Sequence, residues 1–341
     1  MQKITNDIMN IVLKKQNDDF CVNEIPIPQI YCEGQFYVYS LYKSGFTTNQ
    51  AIKIIADFIN CSVMENKYSG LKDEDGITTQ LISLPVKFNN LQLSEFNSSD
   101  INLQLTYRGN IKEELSIGNL LGNAFRVTAR NINNHLIRKL KIIHNYKSLY
   151  LNYYGIQRFG IPNREKTTHL IGKHILDNNY EAALELLIEQ NTPDVENLFT
   201  FKNQPKDYFV SIDQRQTAFY LSSYYSYQWN DKLIQNIYNY GGDNIKLVVE
   251  AIPFTFIKDQ ADKLRVYSLM NKQDIVRYRV QEDELIKSQS NRTTFIHVKI
   301  IISNIRDDEL YPGQYCADLC FSLPSGSYAT VVIPQFFYEI Y

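Results

Sequence analysis

The alternation of polar and apolar residues near the start of the chain predicts a strand followed by a helix. Residues 20–44 alternate, and Tyr37, Tyr39 and Leu41 fall on one face of an extended chain. Residues 47–62 begin with a threonine typical of a helix N-cap and then space their apolar side chains at helical intervals. The period therefore changes from that of a strand to that of a helix within a few residues.

A charged stretch, "KDED" at 72–75, follows this helix between Gly70 and Gly76 and predicts a turn. The rest of the pattern predicts these elements: a strand at "ITTQLISLPV", two strands within 101–130 joined by "GNLLGN", a helix over 133–151, a loop over 153–166, a helix over 180–191, a loop over 192–213 broken by Pro193 and Pro205, a helix over 214–239, and strands at "TTFIHVKIIIS", "YCADLCFSLP" and "YATVVI". Strand-rich ends around a helical middle indicate an α+β core that is interrupted near residues 150 and 302.

Composition narrows the functional classes. Of the 341 residues 44% are apolar, which is enough for a substantial core, and the formal charge of −2 does not by itself suggest a polyanionic partner, although a local basic face remains compatible with it. The five cysteines are odd in number and scattered, which argues against a disulfide framework and for a reducing compartment. Cys316 and Cys320 stand four apart without paired ligands, so we expect no metal site. No secretory leader or membrane span is apparent, and a cytoplasmic protein is expected.

The charged turn offers the most specific candidate for chemistry. Asp73 could act as a nucleophile if a cation held its charge and its neighbours excluded water. From composition alone, a solvated hairpin with surface charges is the simpler interpretation. "GNLLGNAFR" lacks the spacing of a nucleotide-phosphate loop, and "LPSGSYATVVI" lacks the spacing of a nucleophile elbow.

Five motifs in order give the chain a family resemblance. They are "NDDFCVNEI" (17–25), "GLKDEDGITTQ" (70–80), "GNAF" (122–125), "YYGIQRFG" (153–160) and "LPSGSYAT" (323–330). In this order they resemble motifs of the TruD-type tRNA pseudouridine synthases, nearly from end to end of the chain.

The resemblance implies a fold and an activity. The expected fold is α+β, with a pseudouridine-synthase-like, mostly antiparallel sheet core formed by residues 1–149 and 303–341. Residues 150–302 would be an inserted, mainly helical α+β domain that binds RNA. Such enzymes convert a uridine of tRNA, typically at position thirteen, to pseudouridine without a cofactor or metal. The essential carboxylate either attacks the base or removes a proton from the sugar to give a glycal.

The resemblance also implies roles for individual residues. Asp73 is expected to be the essential carboxylate, and Lys14 the cation that keeps it ionised once water is expelled. The expected substrate-binding residues are Phe20, Phe125 and Tyr328 against the uracil, Asn123 at its polar edge, and Gln157 and Arg158 in shaping the cleft. Aromatic faces can recover ~1–3 kcal/mol per stacked base, which offsets the cost of flipping a uridine out of folded RNA.

Two further interpretations stay open at the level of sequence. The first is an RNA-binding protein, such as a tRNA folding chaperone, that keeps the fold but turns over poorly. The second is a structural partner protein with no role in RNA chemistry. The expected partner is tRNA, with other RNAs possible, and the expected oligomeric state is a monomer.

Overall fold

The computed structural model describes residues 2–27, 30–88, 93–160, 165–190, 195–240, 242, 244–281 and 284–341. The chain divides into two compact units. The first, which we call the sheet unit, comprises Asn6–Lys147, Val298–Ala329 and Tyr341. The second, the helix-rich unit, comprises Met1–Thr5, Ser148–His297 and Thr330–Ile340.

The strands are β1 (Phe20–Pro26), β2 (Phe36–Ser44), β3 (Lys67–Tyr68), β4 (Ile77–Pro85), β5 (Leu103–Ile111), β6 (Leu120–Ile132), β7 (Asn145–Leu151), β8 (Asn244–Val249), β9 (Ile252–Ile257), β10 (Lys272–Gln281), β11 (Glu284–Thr293), β12 (Phe295–Asp307) and β13 (Tyr315–Pro324). The α-helices are α1 (Gln2–Met9), α2 (Thr48–Phe58), α3 (Leu93–Ser99), α4 (Asn134–Leu140), α5 (Thr168–Leu176), α6 (Tyr180–Glu189), α7 (Val195–Thr200), α8 (Pro205–Ser211), α9 (Gln214–Tyr240), α10 (Gln260–Leu269) and α11 (Ala329–Ile340).

One nine-stranded sheet has the order β5-β2-β4-β1-β6-β13-β12-β7, with β3 paired to β4. The β1–β4 pair is parallel, whereas β1–β6, β2–β4, β2–β5, β6–β13 and β12–β13 are antiparallel. The expected α+β fold with a mostly antiparallel sheet is therefore confirmed. Strand β1 lies between β4 and β6, so it has a sheet neighbour on each side.

Helix α2 covers one end of the sheet. Thr47 caps it, because the side chain accepts from the Gln50 backbone N–H at 3.2 Å while the Gln50 side chain accepts from the Thr47 N–H at 2.7 Å. The buried Ile52 and Ile55 of α2 belong to the same apolar cluster as Leu41 of β2. The predicted strand around Tyr39, the cap and the helix after it are confirmed, but residues 20–44 form two strands, β1 and β2, and the helix ends at Phe58.

The helix-rich unit has its own apolar core, in which α5, α6 and α9 contribute Ile171, Leu184 and Leu221. Two antiparallel hairpins, β8–β9 and β10–β11, complete it. The predicted helices over 180–191 and 214–239 correspond to α6 and α9. No helix among the described residues has both the length and the apolar composition needed to cross a membrane.

The predicted loop over 192–213 is wrong where the structure describes it, because α7 and α8 occupy that segment. Pro205 does not interrupt a helix, because it stands in the first turn of α8, where its missing N–H costs no hydrogen bond. Pro193, like residues 161–164 of the predicted 153–166 loop, lies outside the described residues.

Two other assignments are wrong, and the second of them falls on a short apolar run, which has no period of its own. The segment 133–151 is helical only over α4 and continues as strand β7. The "YATVVI" segment is the start of helix α11, whose Val331, Val332 and Ile333 are all buried. A third difference concerns "GNLLGN", which mostly lies inside β6 and does not join two strands.

Candidate active site

The loop 70–76 is held through its backbone by a buried lysine. The Lys43 side chain is fully buried, and its Nζ donates to the carbonyl oxygens of Phe46 at 2.7 Å, Lys72 at 3.3 Å and Asp73 at 2.6 Å. Burial lowers the pKa of Lys43 to about 8. The position of Asp73 is therefore set by three carbonyl contacts to one cation, a feature that the sequence pattern of strand β2 did not reveal.

The charges of the loop separate into an inward and an outward group. Lys72 points inward, and its Nζ forms a buried ion pair with Glu24 at 2.8 Å. The backbone N–H of Lys72 donates to Thr48 at 2.9 Å, and the Thr48 hydroxyl donates to Gln80 at 3.0 Å. The Gln80 amide in turn donates to the Gly70 carbonyl at 3.0 Å. Polar residues from β1, α2 and β4 thus fix a loop that has no secondary structure of its own.

Asp73 points outward and contacts a cation next to an aromatic ring. Lys14 Nζ donates to the Asp73 carboxylate at 2.7 Å and lies 4.3 Å from the centroid of the Phe20 ring. The Asp73 side chain is 47% exposed and the Lys14 side chain 24% exposed. The two predicted catalytic residues and one predicted base-contacting ring therefore lie together, and water has access to the carboxylate in the free protein.

Phe20 continues into a row of three aromatic rings across β1, β6 and β13. The Phe20 and Phe125 centroids are 5.9 Å apart with an edge-to-face arrangement, and those of Phe125 and Phe321 are 5.4 Å apart and nearly parallel. Phe321 lies directly opposite Phe125 in the antiparallel β6–β13 pair. Sequence reasoning missed Phe321, although its alternate position in a predicted strand was a usable signal.

Asn123 lies on β6 between Glu24 of β1 and Leu323 of β13. Its amide oxygen is buried and forms no hydrogen bond with any described residue. A buried acceptor without a partner costs about 1–3 kcal/mol, so a ligand that supplied a donor there would recover that energy. Gly122 next to it lets β13 approach closely, because a β-carbon there would lie 2.1 Å from the Leu323 carbonyl oxygen.

Tyr328 belongs to the same unit as Asp73. It follows β13 after a turn in which Gly326 has a φ of +77°, a value that favours glycine. The turn is tied to β6 because the Ser325 N–H donates to the Leu121 carbonyl at 3.2 Å. Tyr328 is partly buried and stands five positions after Leu323, the residue opposite Asn123.

Gln157 and Arg158 lie in the helix-rich unit, in a short 3₁₀ helix. Arg158 is fixed to α9: its Nε donates to the Ser226 hydroxyl at 3.3 Å, and the Ser223 hydroxyl donates to its carbonyl at 2.9 Å. The Gln157 side-chain oxygen accepts from Thr330 at 3.3 Å. The structure thus gives both residues partners within their own unit, whereas the other six predicted site residues belong to the sheet unit.

A buried cluster around Arg130 explains another part of the sequence motifs. The Arg130 guanidinium donates to Asp19 at 2.8 Å, to Asp308 at 3.0 Å and to Glu309 at 2.9 Å. The pKa of Arg130 is raised above its ordinary range, chiefly by the hydrogen bonds to Asp19. Asp308, Glu309 and Cys316 have ligand atoms within 4.8 Å of one another, which makes them the one such group among the described residues. The Arg130 guanidinium contacts the carboxylates of both Asp308 and Glu309. Their negative charge, which would attract a metal ion, is therefore already balanced by Arg130.

Comparison with known proteins connects this arrangement with one family. A family described as tRNA pseudouridine synthase D (TruD) matches residues 4–200. The "Probable tRNA pseudouridine synthase D 1" of Methanococcus maripaludis is 28% identical, over 95% of this chain and 98% of that protein. The tRNA pseudouridine synthase D of Sulfurimonas denitrificans is 26% identical, over 97% of this chain and 96% of that protein. The crystal structure of a candidate tRNA pseudouridine synthase D from Methanosarcina mazei shares the fold, with a TM-score of 0.62 at 22% identity over 98% of both chains.

Proposed function

The chain belongs to the tRNA pseudouridine synthase D (TruD) family and is a tRNA pseudouridine synthase, and from this premise we propose that it isomerises the uridine at position 13 of tRNA with Asp73 as the essential carboxylate. The observation that carries the proposal is the ion pair between Asp73 and Lys14 beside the Phe20 ring. An ionised carboxylate with an adjacent cation keeps its charge when a substrate covers it.

The reaction needs the N-glycosidic bond of the uridine to break, the uracil to turn, and C5 to bond to the sugar carbon that N1 left. The hydrogen originally on C5 is lost to solvent and N1 gains one, so the product is an isomer of the substrate. Asp73 would act on the nucleotide directly, and Lys14 would hold the carboxylate in its reactive, ionised form. The carboxylate is half exposed in the free protein, so the extruded uridine itself would exclude water from it.

The proposed contacts to the base draw on the rest of the site. Phe20, Phe125 and Tyr328 would contact the faces of the uracil, because aromatic rings stack on any base. The unsatisfied Asn123 amide oxygen supports a role in accepting the N3–H of uracil, a donor that a cytosine ring lacks. A base that cannot donate this hydrogen bond would leave the buried amide oxygen unpaired, so the site would discriminate strongly against it.

We assign the two segments of the chain different parts in the reaction. Residues 1–149 and 303–341 would form the catalytic core, which contains Asp73. The segment 150–302 would be an inserted domain that grips the RNA, with Gln157 and Arg158 shaping its surface. Alternating exposed basic residues on the β10–β11 hairpin, such as Arg277 and Arg279, support RNA contact by this segment.

The test uses unmodified tRNA from the protein's own source, with pseudouridine mapped by carbodiimide labelling. Asp73→Asn should abolish the product and leave the Kd for tRNA nearly unchanged. Glu74→Gln is the matched control, since it removes an exposed carboxylate one residue away and should leave the product intact. If the wild type binds tRNA but modifies no uridine, the interpretation as an RNA-binding chaperone replaces this one. If Asp73→Asn remains active, the assignment of the carboxylate is wrong.

A further inference from the structure

The helix-rich unit contains a cavity that the proposed chemistry does not use. Its volume is about 560 Å³, within the range of small-molecule sites. Elements α5 to α9 and the short helix at Gln157 contribute to its walls. The lining residues that matter below are Gln157, Asn197, Tyr208, Gln216, Phe219 and Tyr220.

The chemistry of these walls selects an uncharged ligand. None of the described side chains that line the cavity carries a formal charge, so a phosphate or carboxylate would lose its hydration without gaining a counter-ion. Gln157, Asn197 and Gln216 each present an amide, which can both donate and accept hydrogen bonds. Tyr208, Phe219 and Tyr220 add flat apolar faces. A planar, neutral group with a polar edge fits both features.

The rim of the cavity carries a stacked pair. The Arg158 guanidinium lies 4.9 Å from the centroid of the Phe219 ring, and Arg158 itself is held by Ser226 of α9. Phe219 remains more than one-third exposed although it lines the cavity. A guanidinium over one aromatic ring is a common platform for an additional stacked base.

Hydrogen-bonding capacity is also left for a ligand. The Asn197 side chain forms no hydrogen bond with the described residues, and the Gln157 side chain uses only its oxygen, toward Thr330. Gln216 donates to the Tyr220 hydroxyl at 2.6 Å, which orients its amide oxygen independently of a ligand. The edge of a heterocyclic base would find both donors and acceptors there.

We propose that this cavity receives one unstacked nucleobase of the RNA substrate, other than the uridine that is isomerised. The inference rests on the proposed function, because tRNA is what brings a nucleobase to the protein. Single-stranded loop positions of RNA are read in this way, with bases stacked on aromatic side chains and hydrogen-bonded at their edges. The cavity would then contribute to affinity and to the choice of RNA, and not to the chemical step.

The first experiment measures the Kd for unmodified tRNA by filter binding, together with steady-state pseudouridine formation. Phe219→Ala should raise the Kd and the KM about 5- to 150-fold, the range expected for one stacked base, and leave kcat at saturating tRNA unchanged. Phe219→Tyr should retain most of the affinity. The matched control is Phe199→Ala, which removes another exposed phenylalanine next to a cation, Lys202, outside the cavity walls. Thermal unfolding by circular dichroism checks that each variant is folded.

The second experiment scans the unpaired positions of a synthetic tRNA with abasic nucleotides. Removal of the bound base should weaken wild-type binding at one position and have little further effect on Phe219→Ala. A folded Phe219→Ala variant with wild-type affinity for tRNA would overturn the inference. It would also be overturned if, at every abasic position, the loss of affinity were simply added to the loss caused by Phe219→Ala. These binding results are readable whether or not Asp73 is essential, so failure of the cavity proposal and failure of the proposed function are distinguishable.

Discussion

The buried ion pair between Lys72 and Glu24 should stabilise the loop 70–76 without taking part in the proposed reaction. The two charges are 2.8 Å apart, and their side chains are 6% and 1% exposed. At an effective dielectric constant of about 20 their attraction is roughly 6 kcal/mol, most of which offsets the cost of removing both from water. Among the residues that the structure describes, Lys72→Met would leave Glu24 with one long hydrogen bond, from the Leu81 N–H at 3.4 Å. We expect it to lower the free energy of unfolding by about 3–5 kcal/mol.

The double variant distinguishes the effect of an unpaired buried charge from the effect of replacing the side chains themselves. Lys72→Met combined with Glu24→Leu removes both charges of the pair and leaves neither of them buried alone, so its free energy of unfolding should return to within about 2 kcal/mol of the wild type. The backbone N–H of Lys72 still donates to Thr48 in this variant. The loop should therefore stay in place in the double variant. Its kcat should be close to that of the wild type, and any loss of kcat in the single variant Lys72→Met should be reversed.

The assay is urea unfolding followed by far-UV circular dichroism, with the m-value as a check that the transition is comparable between variants. The control is Lys87→Met, which removes one partner of the exposed ion pair with Glu65 and should cost less than about 1 kcal/mol. The reasoning is refuted if Lys72→Met is no more destabilising than this control. It is also refuted if the double variant is no more stable than the single one.

Three other expectations follow from the contacts described above. Because burial lowers the pKa of Lys43 to about 8 from an ordinary value of 10.5, the unfolded chain binds more protons between these values, so the penalty that this group places on folding decreases and stability rises with pH there. The neutral amine has fewer hydrogens for the three carbonyls, however, so kcat should fall above pH 8; a kcat profile that is flat to pH 9.5 would contradict this. Gly172→Ala would place a β-carbon 2.0 Å from the Tyr220 carbonyl oxygen and should lower the free energy of unfolding by about 1–3 kcal/mol, measurable by thermal or urea unfolding. The Kd for tRNA should rise steeply with salt concentration in filter binding, since phosphate contacts release counter-ions, and a Kd independent of salt would argue against RNA as the partner.

Several features of this protein could be predicted from its sequence because they depend on neighbours in the chain. The cap at Thr47 and the helix after it are local, as are the period-two strand around Tyr39 and the turn at 70–76. The five motifs, in their order along the chain, were sufficient to predict the family and its mostly antiparallel sheet. The structure places Asp73 next to Lys14 and Lys14 next to Phe20, while the roles that the motifs imply for these residues stay predictions.

The roles of individual charges within a motif could not be read locally. "KDED" gives no sign that Lys72 points into the protein and Asp73 out of it. That division depends on Glu24, which is distant in sequence and lies near Lys72 only because β1 pairs with β4. The same is true of Lys43, whose three carbonyl partners come from two loops.

The apolar runs show the same limit for secondary structure. Val331, Val332 and Ile333 of "YATVVI" are consecutive and all buried in α11, so these side chains carry no period that could distinguish a helix from a strand. The sequence by itself determined the elements with a clear period or cap, the family and the list of candidate residues. Only the tertiary structure decided which charges are buried, which of them are neutralised by a partner, and which carboxylate is left facing the solvent, because burial and pairing arise from contacts between segments far apart in the chain.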